Sequence, residues 1–379
     1  MKKVFPAQWI YFIYAPLFVF FISSKSLALV DVNYTFDVKK VEEARSPFYF
    51  LRSFVDYFYL LVASNEMNLP SYLSNKNGVS WCVGDAHPEN FGTYILENNQ
   101  STYTMNDIDD SGPCPLVLDI LRLMVSSRLY NPSVQLSPMI QSYLRGLRFE
   151  TIPAPGFIQK MLGESLSKGK SARKKNIEGR RLVRQGDFFE LNAEQTQAVV
   201  QILMDPKFPF QPGAKITDVY GTRKQSGGSA DLTRFEVLIE NGNDFIQLEF
   251  KQQTAPAVAA LNLFEIPQQQ DRIFKSLTYT QNNPSSFFQF ATVLGMPMLI
   301  RPIFSGNIGT DLADIKMEEL QSVLNYQALT LGRIHASSSS NLPSYINGIQ
   351  RTTSKAWESD VQSFVQMYEA KFQQLKGGK

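Results

Sequence analysis

The stretch that most constrains this 379-residue chain is Trp81–Arg122, WCVGDAHPENFGTYILENNQSTYTMNDIDDSGPCPLVLDILR, where acidic and amide side chains gather at both ends of a hairpin pattern. Phe91–Leu96 and Ser101–Asn106 are rich in aromatic and β-branched residues, and Glu97–Gln100 between them supplies two Asn, the material of a polar turn. An antiparallel hairpin returns to its starting end with strands about 4.8 Å apart, so Asn90 is expected beside Asp107. Mg²⁺ takes hard oxygen ligands at about 2.1 Å and commonly only one or two from protein, the rest coming from phosphates and water. Asn90 and Asp107 meet that need, with Asp109 as an alternative or second acidic ligand. Asp85, on the same loop as Asn90, is then free to orient or deprotonate a hydroxyl nucleophile.

Two competing explanations bear on the same residues. The Gly84-Asp85-Ala86-His87 string matches the opening of the metal site of calcineurin-like phosphoesterases, but those sites need several His ligands and this chain has only His87 and His335. The plainer alternative is a set of Asp- and Asn-rich turns and helix caps with no catalytic role.

The apolar share of 44% against 19% charged residues suits an ordinary globular protein with one large or two moderate cores, and a net charge of +2 gives no global case for a nucleic-acid partner. The N-terminus carries Lys2 and Lys3, an apolar run from Trp9 to Ile22, and Ser26 and Ala28 at the −3 and −1 positions of a cleavage site. Residues 1–28 therefore read as a secretory signal peptide, implying a periplasmic or secreted body. An uncleaved inner-membrane anchor over Ala7–Ser24 is the alternative, and a buried apolar helix a third. Cys82 and Cys114 flank the acidic stretch and are open to either a disulfide or two half-buried thiols.

Along the rest of the chain, Pro47–Ala63 is expected to be a helix with Phe50, Phe54, Tyr57, Phe58 and Leu61 on its apolar face. Val117–Leu129 and Gln135–Gly146 continue as helices, with Asp119 in the first turn of the former, where a carboxylate suits the helix dipole. The basic segment Ser167–Arg184 is open to two interpretations, a loop over a phosphate site or a solvated or disordered surface. Ile216–Tyr220, Arg234–Glu240 and Phe245–Lys251 alternate as strands, with turns at Gly227–Gly228 and Asn241–Asn243. Ala257–Thr280 is expected to be helical with a break at Pro267, Met298–Phe304 a strand, and Ile315–His335 an amphipathic helix with His335 as a packing residue.

GDAHPEN followed by NDIDDSGPCPLVLD resembles the catalytic loop and metal-binding segment of the aminoglycoside and choline kinase branch of the protein-kinase-like superfamily. More closely, Gly84–Gly92 with Asn106–Ser126 resembles the bacterial family catalogued as domain of unknown function 2252, as do GGSADLTRFEVL and FIQLEFKQ downstream. The resemblance implies an α+β, protein-kinase-like two-lobed fold with a small antiparallel β lobe and a mainly helical lobe. Because Lys251 follows Asp85, the lobe order is inverted and the fold would be circularly permuted. It implies ATP and Mg²⁺ as cofactors, Gly228 and Ser229 in a loop covering the nucleotide, Lys251 on the phosphates with Glu265 as its acidic partner, and Asp119 bracing the catalytic loop. Val83 stands where kinases often have His, and Asp231 where the family tends to repeat glycine. The expected division is 29–150 for the catalytic and metal part, 151–210 for a basic linker, 211–304 for the β lobe and 305–379 for the remaining helices. The expected activity is phosphotransfer to an unidentified small molecule or protein. A non-catalytic exported binding module and a nucleotidyl transferase are the alternatives.

Overall fold

The computed structural model describes residues 34–64, 78–223, 228 and 232–377. The expected signal segment 1–28, together with Gly227, Ser229 and Asp231, lies outside the described residues. Among the described residues no helix is long and apolar enough to cross a membrane.

The fold is α+β. It begins with helices α1 (Val38–Glu43), α2 (Pro47–Ser53) and α3 (Val55–Ala63). The single helix expected over Pro47–Ala63 is broken at Phe54, whose φ of −127° and ψ of 69° leave the helical region. At this break the carbonyl of Leu51 accepts a hydrogen bond from Arg122 Nη2 (3.2 Å). The aromatic face survives the break, and Phe50, Tyr57 and Phe58 pack on Phe364, Tyr368 and Phe372 near the C-terminus.

Strands β1 (Val79–Cys82), β2 (Phe91–Ile95), β3 (Ser101–Met105) and β4 (Gly112–Pro115) follow. The hairpin forms with Phe91 opposite Met105, and β1 pairs with β4, placing Cys82 opposite Gly112. Next come α4 (Val117–Tyr130), α5 (Leu136–Leu147), α6 (Gly156–Lys168), the short strands β5 (Ile177–Glu178), β6 (Arg181–Leu182) and β7 (Asp187–Phe189), and α7 (Ala193–Leu203). Strands β8 (Lys215–Arg223), β9 (Thr233–Asn241) and β10 (Asp244–Gln252) precede α8 (Gln269–Gln281), β11 (Gln289–Val293) and β12 (Met296–Pro302). The chain closes with α9 (Met317–Ser338), α10 (Leu342–Arg351) and α11 (Ser354–Gly377). The helix expected over Ala257–Thr280 is in fact a 3-10 turn at Ala257–Leu261 and, beyond Pro267, α8.

A six-stranded antiparallel sheet, in the order β11-β12-β10-β9-β8-β7, has two unlike faces because side chains alternate along each strand. Phe235, Val237, Ile239, Leu248, Phe250 and Ile300 form one apolar face, which packs with Val199 and Leu203 of α7. The alternate residues Arg234, Glu236, Gln247, Glu249, Lys251 and Arg301 make the other face polar. Glu249 accepts from Arg301 at 2.6 Å and lies 3.7 Å from Arg234. Burial, and then the charge of Glu249 opposite, push Glu236 up to about 8.

The helical layer has its own core, centred on α4, α5, α9 and α11. Leu320, Val323, Leu324, Leu331 and Ile334 of α9 form the buried stripe expected of them. Helices α5 and α9 cross closely at Gly146 and Gly332, where a Cβ on either would collide with the carbonyl of Leu329 or Tyr143 respectively. Gly332→Ala is therefore expected to destabilise the protein by about 1–3 kcal/mol through overpacking, read as a lower urea midpoint. A loss below about 0.5 kcal/mol, the scale of an ordinary surface change, would refute the close crossing.

Candidate functional site

The loop from Val83 to Asn90 is fixed before any ligand is considered. Gly84 has a φ of +89°, and an added Cβ would strike the carbonyl oxygen of Asp110, so glycine is required there. Its own carbonyl accepts from the hydroxyl of Tyr59. Asp119, in the first turn of α4, accepts from the backbone N–H of Val83 (2.7 Å) and of Gly84 (3.2 Å). The same carboxylate meets His335 Nε2 at 2.9 Å, and His335 Nδ1 meets the Tyr143 hydroxyl at 2.6 Å. Asp119 and His335 are both fully buried, so each polar atom needs such a partner. Cys82 and Cys114 are joined as a disulfide with a Cα–Cα distance of 5.7 Å, which ties the strand entering this loop to the strand leaving the acidic segment.

Asp85 points one carboxylate oxygen at Arg122, which donates from Nη2 (2.6 Å) and Nε (3.1 Å). The other oxygen accepts from Asn90 Nδ2 at 3.1 Å and lies 3.4 Å from His87 Nε2. Burial alone would raise the Asp85 pKa, but the charges of His87 and Arg122 and their hydrogen bonds hold it well below the usual carboxylate range. Burial lowers the pKa of His87, whereas, against burial, the charge of Asp85 raises that of Arg122. Because the Asn90 amide nitrogen is committed to Asp85, its oxygen remains as the donor for a ligand.

The hairpin delivers Asn90 and Asp107 to the same end, and Asn106 N–H donates to the Asn90 carbonyl at 2.7 Å. Lys251 reaches them from β10. Its ammonium donates to both carboxylate oxygens of Asp107 (2.9 and 3.2 Å) and pairs with Asp109. Lys251 is 1% exposed; burial disfavours its charge, yet Asp107 and Asp109 raise its pKa and keep it an ammonium. The acidic partner expected from Glu265 is thus corrected, since Glu265 is exposed and two aspartates hold the lysine. Asp109 Oδ1 is buried without a hydrogen-bond partner. Asp110 Oδ1 accepts from the Ala257 N–H at 2.8 Å, and burial followed by the charge of Asp85 pushes it up to about 7.

One cavity of about 660 Å³ is lined by Asp85, Asn90, Asp107, Asp109, Gly228 and Lys251, and also by Arg45, Arg52, His87 and Asp110. The site residues expected from sequence therefore converge, save Ser229, which is outside the described residues. No cluster of three or more His, Cys, Asp or Glu side chains suited to a metal is found among the described residues. The donor set is two carboxylates and an amide oxygen, which fits an ion that completes its shell from phosphate and water. The basic segment 167–184 does not line this cavity, so it is no loop over this site; it is an ordered, largely solvated surface segment, with Arg184 paired to Asp218 and Arg180 to Glu240 on the sheet.

Arg122 and Asp110 were not foreseen as site residues. Arg122 had a signal: Asp119 and Arg122 are the only charges in the apolar run Val117–Val125, which is buried throughout. Two charges three apart on a buried helix must face a polar partner, here the loop at 83–85. The family model described as an uncharacterized protein conserved in bacteria (DUF2252) matches residues 32–142 and 165–374, blocks that contain all the cavity residues named above. No curated protein and no solved structure matches the chain.

Asp119→Ala would leave two backbone donors and His335 without their buried acceptor. It is expected to cost about 3–5 kcal/mol, measured by chemical denaturation. A cost below about 1 kcal/mol, that of a lost dipole charge alone, would show that Asp119 does not hold the loop.

Proposed function

We propose that this chain, which belongs to the bacterial family DUF2252, is an ATP- and Mg²⁺-dependent phosphotransferase of the small-molecule kinase-like type with a circularly permuted lobe order. The observation that carries this is the meeting of Lys251 with Asp107 across 144 residues of chain, in the cavity that also holds Asp85 and Asn90. In this arrangement the helical layer supplies the loop and the acidic segment, and the sheet supplies the lysine from above.

Each residue has a distinct task. Asn90 and Asp107 hold the divalent ion, with Asp109 as a further acidic ligand through its unpartnered oxygen. Mg²⁺, when bound, neutralises phosphate charge and aligns the transferring group. Lys251 binds phosphate oxygens once it leaves the aspartates, and Gly228 lies on the cavity rim, its carbonyl accepting from Lys40 at 3.3 Å. Asp85 is a weak base, because Arg122 stabilises its ionised form. It works chiefly by accepting a hydrogen bond from the acceptor hydroxyl and aiming that oxygen at the phosphorus.

A second reading, an exported non-catalytic binding module, is favoured by the Cys82–Cys114 disulfide, since disulfides persist in oxidising compartments where ATP is scarce. Heating the protein with and without ATP and Mg²⁺ separates the two. Ligand at about 100 times its Kd stabilises by about 2.7 kcal/mol, and Asp107→Ala should abolish the shift; a wild-type melting temperature indifferent to ATP and Mg²⁺ rejects nucleotide use. Intact-mass analysis of products distinguishes an added phosphate from an added nucleotide.

Lys251 also competes with the metal, because its ammonium occupies the carboxylates that the ion would use. Lys251→Met is expected to bind Mn²⁺ in the absence of nucleotide about tenfold more tightly than wild type, equal to about 1.4 kcal/mol, by calorimetry. Equal or weaker binding would show that the aspartates are not the metal ligands.

A further inference from the structure

A second concavity, of about 610 Å³, lies between the segment after α6 and the loop after β12, and shares no lining residue with the first. Its wall carries Lys168, Arg173, Lys174 and Lys175, and no carboxylate. We infer that this groove is a binding site for a small anion bearing two or three phosphate groups.

The distribution of counter-charges along one basic segment supports this. Arg180 and Arg184, at its C-terminal end, are neutralised by Glu240 and Asp218 of the sheet. At its other end Lys170, which does not line the groove, pairs with Glu97 at 3.6 Å and Lys168 has a surface i,i+4 pair with Glu164 at 3.4 Å, but no ion pair engages Arg173, Lys174 or Lys175 among the described residues. Carboxylates thus answer charges on either side and leave the stretch Arg173–Lys175 at the groove cationic.

Arg173 is the most telling of the four. It is half-buried, and its Nη2 donates to the Asn307 carbonyl at 2.5 Å, which fixes the guanidinium in place. Burial and the like charge of Arg301 lower its pKa, with Glu236 and Glu249 offsetting only part of this. A fixed, partly desolvated cation without an ion-pair partner is the state that an oxyanion stabilises. The floor of the groove is also pre-formed. Ser305 N–H donates to the Ser171 carbonyl (2.8 Å), Gly306 N–H donates to the Gly169 carbonyl (3.0 Å), and Ala172 bridges Phe304. Little ordering is left for a ligand to induce.

Four cations around one short groove suit a compact polyanion. A nucleic acid would need an extended basic track, for which the net charge of +2 gives no support. Free oligophosphate and a multiply phosphorylated small molecule present the same chemistry. This site is independent of the proposed phosphotransfer, since Lys251 and the aspartates take no part in it.

Calorimetric titration of the full chain with inorganic tripolyphosphate, with a hexose bisphosphate, and with duplex DNA tests the inference. Tripolyphosphate or the bisphosphate is expected to bind, the tighter of the two identifying the source. Arg173→Gln/Lys174→Gln/Lys175→Gln should weaken that binding at least about tenfold. The double variant Lys174→Gln/Lys175→Gln, confined to exposed positions, keeps the test valid should the triple variant misfold, and should weaken binding about threefold or more. Unchanged affinity in the double variant overturns the site. So does absence of binding, or duplex DNA binding more tightly than either small anion.

Discussion

The structure depends on one buried carboxylate. Asp119 carries its charge into the centre of the helical layer, where an isolated anion would be too costly to keep, and three hydrogen bonds make it tolerable. Two of those bonds come from consecutive backbone amides of the loop at 83–84, and the third from a histidine that is itself held by Tyr143, which in turn meets the Tyr345 hydroxyl at 2.7 Å. The backbone of the loop is therefore positioned by α4, α5, α9 and α10 together. Arg122, one turn further along α4, extends the same control to the Asp85 side chain.

The cavity forms at the seam between two unlike layers. The helical layer packs through a continuous apolar core, whereas the sheet turns a charged face inward, with Glu249, Arg234 and Arg301 compensating one another. Lys251 stands at the edge of that face where compensation by the sheet runs out, and it finds its partners on the other layer instead. A lysine buried to 1% exposure cannot stay charged without them, which makes the Lys251–aspartate contact a structural bond between the layers as well as a feature of the site.

Features governed by local pattern could be read from sequence. The hairpin followed from two period-2 runs about a polar turn, the stripe of α9 from helical spacing, and β8 to β10 from alternation. The convergence of Asn90 and Asp107 followed from hairpin geometry alone. Features decided by distant partners were not legible. The break at Phe54 lies where Arg122 bonds the Leu51 carbonyl, the partner of Lys251 lies 144 residues earlier rather than in the next helix, and the pairing of two cysteines needed their strands to be neighbours. The basic run looked uniform in sequence, and only the carboxylates packed around it showed which charges are answered. Membership of the bacterial family was visible in the residues around Gly84 and Asn106, which lie inside the matched blocks.

The bonds that shape the loop differ greatly in the length of chain they span. The disulfide closes over 32 residues and the Asp119 contact with Val83 over 36, but the contact of Asp119 with His335 spans 216. During synthesis the first two can form while most of the chain is still unmade. The third must wait until α9 has been completed, and a long closure of this kind is slow. A nascent chain therefore holds its acidic segment in rough shape early, and gains a finished cleft only when the helix made nearly last docks against a helix from the first third.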